Sequence, residues 1–304
     1  MKVYETWPSR DALHDITHLC LGFFDGLHLG HAAVIRQALE KSSGTVGVFT
    51  FHNHPMTVLR PAEAPPQITG FPHKLRILHE WGVPTVIAPP FDASQGKMSH
   101  ADFLQMLLDR FPSLKGVSAG FNWKFGHRRL GTPEILNIWA RSKNLQCEIA
   151  TPVQYEKLPI SSTRLRAEIR KGNLATVQTM LGRPFSLLGT VTHGREMGRT
   201  IGFPTANLQT LDECLPPGGV YAGAALLPDG QRWKCAINLG TAPTVHTSQE
   251  RTIEAHLIGF TGNLYEAEIL LEFTRFLRPE KKFQNVDALK KAIAADVESA
   301  ATEH

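Results

Sequence analysis

The chain has 304 residues, 42% of them hydrophobic, a formal charge of +4 and four cysteines. That length suffices for about two buried cores, and the mild charge, spread rather than gathered in one block, argues against a nucleic-acid footprint and suits small anionic ligands. Cys20, Cys147, Cys214 and Cys235 form no Cys-x-x-Cys pair, which gives neither a thiolate zinc motif nor a disulfide framework and fits a reducing cytoplasm. No stretch approaches the roughly 20 apolar residues of a membrane span, and Lys2, Glu5, Arg10 and Asp11 stand where a signal peptide would be apolar, so neither secretion nor membrane insertion is expected.

From Thr17 to about Ala150, short apolar runs ("HLCLGF", "TVGVFTF", "TVIAPPF", "GVSAGF") alternate with helical patterns ("HAAVIRQALEK", "KLRILHEWG", "HADFLQMLLDRF", "PEILNIWARSKN"). That alternation predicts βαβ units on a parallel, doubly wound sheet. Ser161 to Leu181 reads as a polar start followed by a helix, with a boundary near Gly182-Arg183-Pro184. After Gly189 the helical patterns stop and strand-like segments follow: "GVYAGAALL", "QRWKCAINLG", "TIEAHLIGF" and "EAEILLEFTRFL", punctuated by Pro228-Asp229-Gly230 and Thr261-Gly262-Asn263 turns. A small antiparallel barrel is expected there, closed by a terminal helix with Leu289, Ile293 and Val297 in helical spacing behind an Asn285 cap. The expected domains are 1–182 and 183–304.

The most informative stretch is "FFDGLHLGH", Phe23 to His31. A strand over Thr17 to Phe23, a turn at Asp25-Gly26 and a helix beginning near Gly30 or His31 bring unpaired backbone amides and the positive end of the helix dipole to His28 and His31. Such a place attracts phosphate; Gly30 lets the chain approach a ligand, and two imidazoles can donate to polyphosphate oxygens as a bond to phosphorus breaks. Ordinary loop histidines would look the same, and His52 and His54 nearby leave a metal site open. "GFNWKFGHRRLGT", Gly120 to Thr132, gathers Lys124, Arg128 and Arg129 at another strand's carboxyl end, where open α/β sheets bind ligands, although it reads equally as a polar loop. "ISSTRLR", Ile160 to Arg166, offers hydroxyls and guanidinium groups at a helix start, as either a cap or a second phosphate grip. "KMSH", Lys97 to His100, mimics half of a tRNA-synthetase signature; Ser99 with Asp102 explains it better as a helix cap.

Taken in order and spacing, Phe23–His31, Thr50–Pro55, Gly120–Gly126 and Ile160–Arg166 resemble the bacterial bifunctional riboflavin kinase/FMN adenylyltransferase (FAD synthetase) family. The resemblance implies a Rossmann-like His-x-Gly-His nucleotidyltransferase domain that transfers AMP from ATP to FMN. It assigns His28 and His31 to the triphosphate, and Phe24, Asp25, Gly30, Asn122 and Arg128 to the nucleotide. Ser162, Thr163 and Arg166 would close on the phosphates, with His54 at the flavin. Asn53 stands where many members have proline and Trp123 where most have phenylalanine.

"GTVTHGREMGRTIGFPTANL", Gly189 to Leu208, is one residue short of a Walker A loop and has arginine for its lysine; on its own it reads as a Gly-rich connection between strands. It resembles the same family's kinase signature, as do "GVYAG", "NLGTAPTV", "IEAHLIGF" and "FLRPEKKF" further on. The resemblance implies phosphate contacts from Gly194, Gly198, Arg199, Gly202, Thr205 and Asn207, with the last two also holding Mg²⁺, for which hard oxygen ligands are suited. It makes Glu254 the base that deprotonates the ribityl hydroxyl of riboflavin, and brings Asn238, Thr244 and Arg278 to the flavin. Glu254 and His256 alternate with Ile253, Ala255 and Leu257, so both occupy one face of a strand, which alone would mean only a solvated face. Gly259 replaces a usual aspartate and Glu266 a usual glycine. The implied partners are ATP, riboflavin, FMN and FAD, with no nucleic acid or membrane and weak self-association left open. Two alternatives stay open: a flavin-binding regulatory protein with one activity lost, and a metal-dependent hydrolase built on the four clustered histidines.

Overall fold

The computed structural model describes residues 1–194, 197–211, 213–242 and 250–302, apart from the side chains of residues 197, 199, 242 and 250. Two compact units emerge, Met1–Ser162 and Thr163–His304. In the first, strands and helices alternate: β1 (Lys2–Tyr4), β2 (Ile16–Leu21), α1 (Leu29–Lys41), β3 (Thr45–Phe49), α2 (Pro55–Leu59), α3 (Phe71–Glu80), β4 (Thr85–Ile87), α4 (Ala93–Lys97), α5 (His100–Arg110), β5 (Gly116–Gly120), α6 (Pro133–Ser142) and β6 (Gln146–Ala150). A two-residue ladder, β7 (Gln154–Tyr155) with β8 (Leu158–Pro159), ends the unit.

The six-stranded sheet runs β1-β4-β3-β2-β5-β6 with every pairing parallel. Both faces are covered, as a parallel sheet requires. Leu19, Leu21 and Phe49 join Phe103, Leu107 and Leu136 on one face, while the intervening Cys20 and Val48 join Val34, Ile35, Ile77 and Leu78 on the other. The chain leaves β2 for β3 on one side and pairs β2 with β5 on the other, so the order reverses between β2 and β5. In doubly wound sheets the ligand crevice opens at that switch point, outside the carboxyl ends of the strands. The Phe23–His31 and Gly120–Thr132 segments follow these two strands directly. β1 was not legible beforehand, and α1 starts at Leu29 with His28 as its cap, earlier than the expected Gly30 or His31.

The second unit holds α7 (Ser162–Lys171), which begins on the last residue of the first unit, and α8 (Leu174–Leu181), which lies against the barrel strands β9 (Phe185–Thr192) and β14 (Glu268–Arg278). The remaining elements are α9 (Met197–Thr200), β10 (Ala206–Gln209), β11 (Gly219–Leu226), β12 (Arg232–Ala242), β13 (Glu250–Leu257) and α10 (Val286–Ala301). The six strands close into an antiparallel barrel in the order β10-β13-β12-β11-β14-β9. Its first strand begins at Phe185, ahead of the expected Gly189, and one helical turn, α9, interrupts the Gly-rich segment. α10 carries the expected cap, Asn285 Oδ1 accepting from Ala288 N at 2.9 Å, and packs Val297 and Ala300 over Ala222 and Ala236 on the outside of the barrel. Among the described residues, no helix is long and apolar enough to cross a membrane.

Candidate functional site

The segment after β2 is bound down from several sides. The Phe23 carbonyl accepts from Thr50 Oγ1 at 2.9 Å and from Lys74 Nζ at 2.8 Å. The Asp25 carboxylate accepts from the backbone amides of Ile68 and Thr69 at 2.9 and 3.3 Å, and the Asp25 carbonyl from Ser162 Oγ at 2.9 Å. These ties hold Phe24 and Leu27 at φ of 55° and 40°, a left-handed conformation that costs about 1–3 kcal/mol for such residues and clusters at functional sites. The chain thereby turns into α1 with His28 as N-cap, its Nδ1 accepting from His31 N at 3.3 Å. Acceptance at Nδ1 leaves the neutral ring's proton on Nε2. The His28 and His31 rings stack at 3.7 Å with 17° between their planes. Gly30 makes this stack feasible: a Cβ there would lie 3.0 Å from both Cε1 and Nδ1 of His28.

Lys74, on the apolar stripe of α3 with Phe71 and Ile77, is completely buried and sits 4.0 Å over the Phe23 ring. Burial lowers its pKa to about 8, with the Asp25 charge opposing the shift. It was not singled out from the sequence; the available signal was a lone cation among the core positions of an amphipathic helix.

The loop after β5 is ordered by aromatics and by the Lys97–His100 segment. Trp123 stacks on Phe125 at 4.4 Å, and both rings approach Phe103. His127 donates its amide to Met98 O at 2.7 Å, and its Nδ1 lies 2.9 Å from Gly96 O. Arg128 and Arg129 both take positive φ, 56° and 60°, and are exposed, as is Asn122. Ser99 caps α5 by accepting from Asp102 N at 3.1 Å, which accounts for "KMSH" as a helix start. Asn53 clasps Phe91 through both its amide atoms, Nδ2 to Phe91 O at 3.1 Å and Oδ1 from Phe91 N at 2.7 Å, a backbone-like grip unavailable to proline.

His52 and His54 form no metal-binding group with the stacked His28–His31 pair. His52 stacks on Phe71 at 4.3 Å with its Nδ1 3.4 Å from Glu5, while His54 caps α2, accepting from Met56 N at 3.0 Å, with its ring 4.6 Å from Phe23. Among the described residues no group of three or more His, Cys, Asp or Glu could hold a metal ion. Thr163 and Arg166 belong to the second unit, where Arg166 is buried and its carbonyl receives Cys214 Sγ at 3.9 Å.

On the barrel, Asn207 of β10 stands directly opposite Glu254 of β13, and Asn238 of β12 opposes Glu254 from the other side. Opposed residues of antiparallel strands share a face. Ile253, Ala255 and Leu257, at most 5% exposed, line the opposite, inner face, so Asn207, Glu254 and Asn238 form a polar row on the barrel's outside. Asn207 is packed so closely on Gly194 that any Cβ at 194 would overlap its amide group. Thr205 lies two residues before Asn207 and comes within 3.3 Å of a Cβ built at Gly198. Gly202 takes φ 90° in the turn between α9 and β10. Arg278 is engaged with Asp296 of α10, Nη2 to Oδ2 at 2.7 Å, and lies 5.5 Å from the Phe283 ring centroid. The Arg199 side chain and all of Thr244 lie outside the described residues. Glu266 takes φ 67°, the conformation that favours the glycine expected there, and Gly259 takes φ 78°.

The FAD synthetase family model matches residues 11–164 and the riboflavin kinase family model residues 181–303. The bifunctional riboflavin kinase/FMN adenylyltransferase of Haemophilus influenzae is 32% identical over 93% of this chain and 92% of the relative. The Escherichia coli K12 enzyme of the same name is 33% identical over 91% and 90%. Among solved structures, a macrolide-efflux protein from Streptococcus pneumoniae shares the fold across 100% of both chains, with a TM-score of 0.85 and 27% identity. With both catalytic domains matched and relatives of this length and identity, the chain belongs to the bifunctional riboflavin kinase/FMN adenylyltransferase family.

Proposed function

We propose that the two reactions are carried by the two residue sets described above, with functional boundaries at 1–182 and 183–304. Residues 165–180 fall between the two family matches. In the first reaction a phosphate oxygen of FMN attacks the α-phosphorus of ATP, the α–β bridging bond breaks, and pyrophosphate leaves. The attacking oxygen is already anionic, so positioning and charge stabilisation supply the catalysis. The stacked His28–His31 pair at the N-terminus of α1 supports this reading, because two imidazoles stand at the positive end of a helix, where the growing charge of a triphosphate would be stabilised. Phe24, Asp25 and Gly30 shape that turn. Asn122 and Arg128 approach the nucleotide, Ser162, Thr163 and Arg166 grip phosphate oxygens, and His54 borders the flavin.

In the second reaction the ribityl 5′-oxygen of riboflavin attacks the γ-phosphorus, its proton passes to Glu254, and ADP leaves. Gly194, Gly198, Arg199 and Gly202 form the phosphate turn, with Thr205 and Asn207 beside it. Asn238, Thr244 and Arg278 contact the flavin. Thr205 and Asn207 fit Mg²⁺, since each offers a hard oxygen and the Gly194 backbone leaves room for the Asn207 amide. When bound, the ion would neutralise charge on the phosphate oxygens. A cytoplasmic location belongs to the same reading, supported by four cysteines that are thiols rather than disulfides.

The test replaces His28 and His31 together with alanine and supplies ATP and Mg²⁺ with FMN in one assay and riboflavin in another. Losing one preorganised donor of this type costs about 10²- to 10³-fold in rate, so FAD formation should nearly vanish while riboflavin is still phosphorylated. Undiminished FAD formation would refute the assignment.

A further inference from the structure

His256 lies on β13 two residues after Glu254 and shares its face. Its Nδ1 is 2.8 Å from the carbonyl oxygen of Pro204, and its ring meets Phe203 edge-on at 5.5 Å. A carbonyl only accepts, so Nδ1 must carry the hydrogen. The β10–β13 ladder pairs Asn207 with Glu254 and Ala206 with Ala255, then stops. One further step would pair Thr205 with His256, and Pro204 beyond it has no N–H to extend a ladder. The imidazole takes over where backbone pairing ends, binding the carbonyl that immediately precedes Thr205.

We propose that His256 is a positioning residue for riboflavin phosphorylation: its Nδ1–H anchors Pro204 and so fixes where Thr205 presents its hydroxyl relative to Glu254. The inference rests on the reading that Thr205 and Asn207 hold the nucleotide phosphates. Asparagine carries an amide N–H at the same bond count from Cα as Nδ1, whereas glutamine reproduces Nε2, so the two amides separate this role from mere filling of space.

The experiment uses the full-length chain with His256→Asn, His256→Gln, His256→Ala and Thr205→Ala. It measures riboflavin phosphorylation, FMN adenylylation, and calorimetric binding of ADP with Mg²⁺ in the absence of flavin. Small misplacements of binding groups can cost about 10²-fold, so His256→Ala and His256→Gln should lose roughly 10- to 100-fold in kcat/KM for ATP and bind ADP more weakly, with KM for riboflavin unchanged. His256→Asn should stay close to the parent, and FMN adenylylation should be unaffected in all three. Parental kinase activity in the alanine and glutamine variants, or asparagine no better than glutamine, would overturn the positioning role. Thr205→Ala at the parental rate would overturn the phosphate reading and the proposal with it. An impaired Thr205→Ala beside an unimpaired His256→Ala would remove the positioning role alone.

Discussion

Asn207 and Glu254 are directly opposed residues of neighbouring antiparallel strands, which puts an amide and a carboxylate side by side on the outer face of the barrel. Asn238 flanks Glu254 on its other side. Two amides beside a carboxylate add no charge to its surroundings, which suits the proposed role of Glu254 as a base that takes a proton and releases it. Glu254→Gln keeps the size and polarity of the side chain and removes its basicity. Riboflavin phosphorylation should fall about 10²- to 10⁴-fold while FMN supplied directly still becomes FAD. A folded Glu254→Gln protein with normal kinase activity would contradict the role.

Gly30→Ala offers a sharper probe of the imidazole stack than removing the rings. Alanine is favoured over glycine in a helix by about 1 kcal/mol, so thermal stability should hold or rise. The added Cβ would lie 3.0 Å from the His28 ring and must push it aside. FAD formation should drop without loss of stability, and an unchanged rate would mean that the stacked arrangement is dispensable.

His18 governs part of the acid response. Its ring is buried between β2 and β5 with Nε2 2.7 Å from Ser118 Oγ, and burial lowers its pKa to about 4, partly offset by Glu148. The unfolded chain binds this proton near pH 6.5 and the folded chain only near 4, so stability is complete above 6.5 and declines as pH falls between those values, by about 3 kcal/mol. His18→Gln retains a donor toward Ser118 and cannot titrate. Its unfolding transition should vary less with pH over this window, and identical profiles for the two proteins would refute the assignment.

Lys74 makes the opposite comparison at high pH. Its folded pKa of about 8, set by burial, lies below the ordinary 10.5, so the charged form is penalised in the fold and the penalty lifts as pH rises between those values. The stability of the parent relative to Lys74→Met should improve across that range, by up to about 3 kcal/mol. Lys74→Met should also slow FAD formation at pH 7, because the Phe23 carbonyl then loses its ammonium donor, and leave riboflavin phosphorylation intact. Full FAD synthesis in that variant would show that the Phe23–His28 turn holds itself.

Glu266 holds φ 67° at a place suited to glycine. Glu266→Gly should raise the thermal transition of the barrel unit by the equivalent of about 1 kcal/mol. A lowered transition would mean that the Glu266 side chain contributes more than its backbone strain costs.

Much of the architecture was legible because local signals agreed. The "HLCLGF" run, the Asp25-Gly26 turn and the following amphipathic pattern announce strand, turn and helix, and the alternation around Glu254 identifies its face. The three-residue β1 has too few positions for any period, and "PFSLLG" joins β9 to the end of α8 without a polar break beyond Arg183. What stayed hidden was long-range partnership. Lys74 reaches Phe23 across 51 positions of sequence, and Asn53 reaches Phe91 across 38. The alternation along β13 could not say which strand lies beside it, so neither the Asn207–Glu254 pair nor the His256–Pro204 bond was readable. Nor did the family resemblance reveal that Arg278 is already paired with Asp296.

The most direct measurement is a chromatographic time course of flavins and nucleotides after mixing the full-length protein with riboflavin, ATP and Mg²⁺. FMN and ADP should appear first, then FAD with pyrophosphate, as the two reactions run in sequence on one chain. Riboflavin left unchanged, or FMN that accumulates and never becomes FAD, would contradict the bifunctional account.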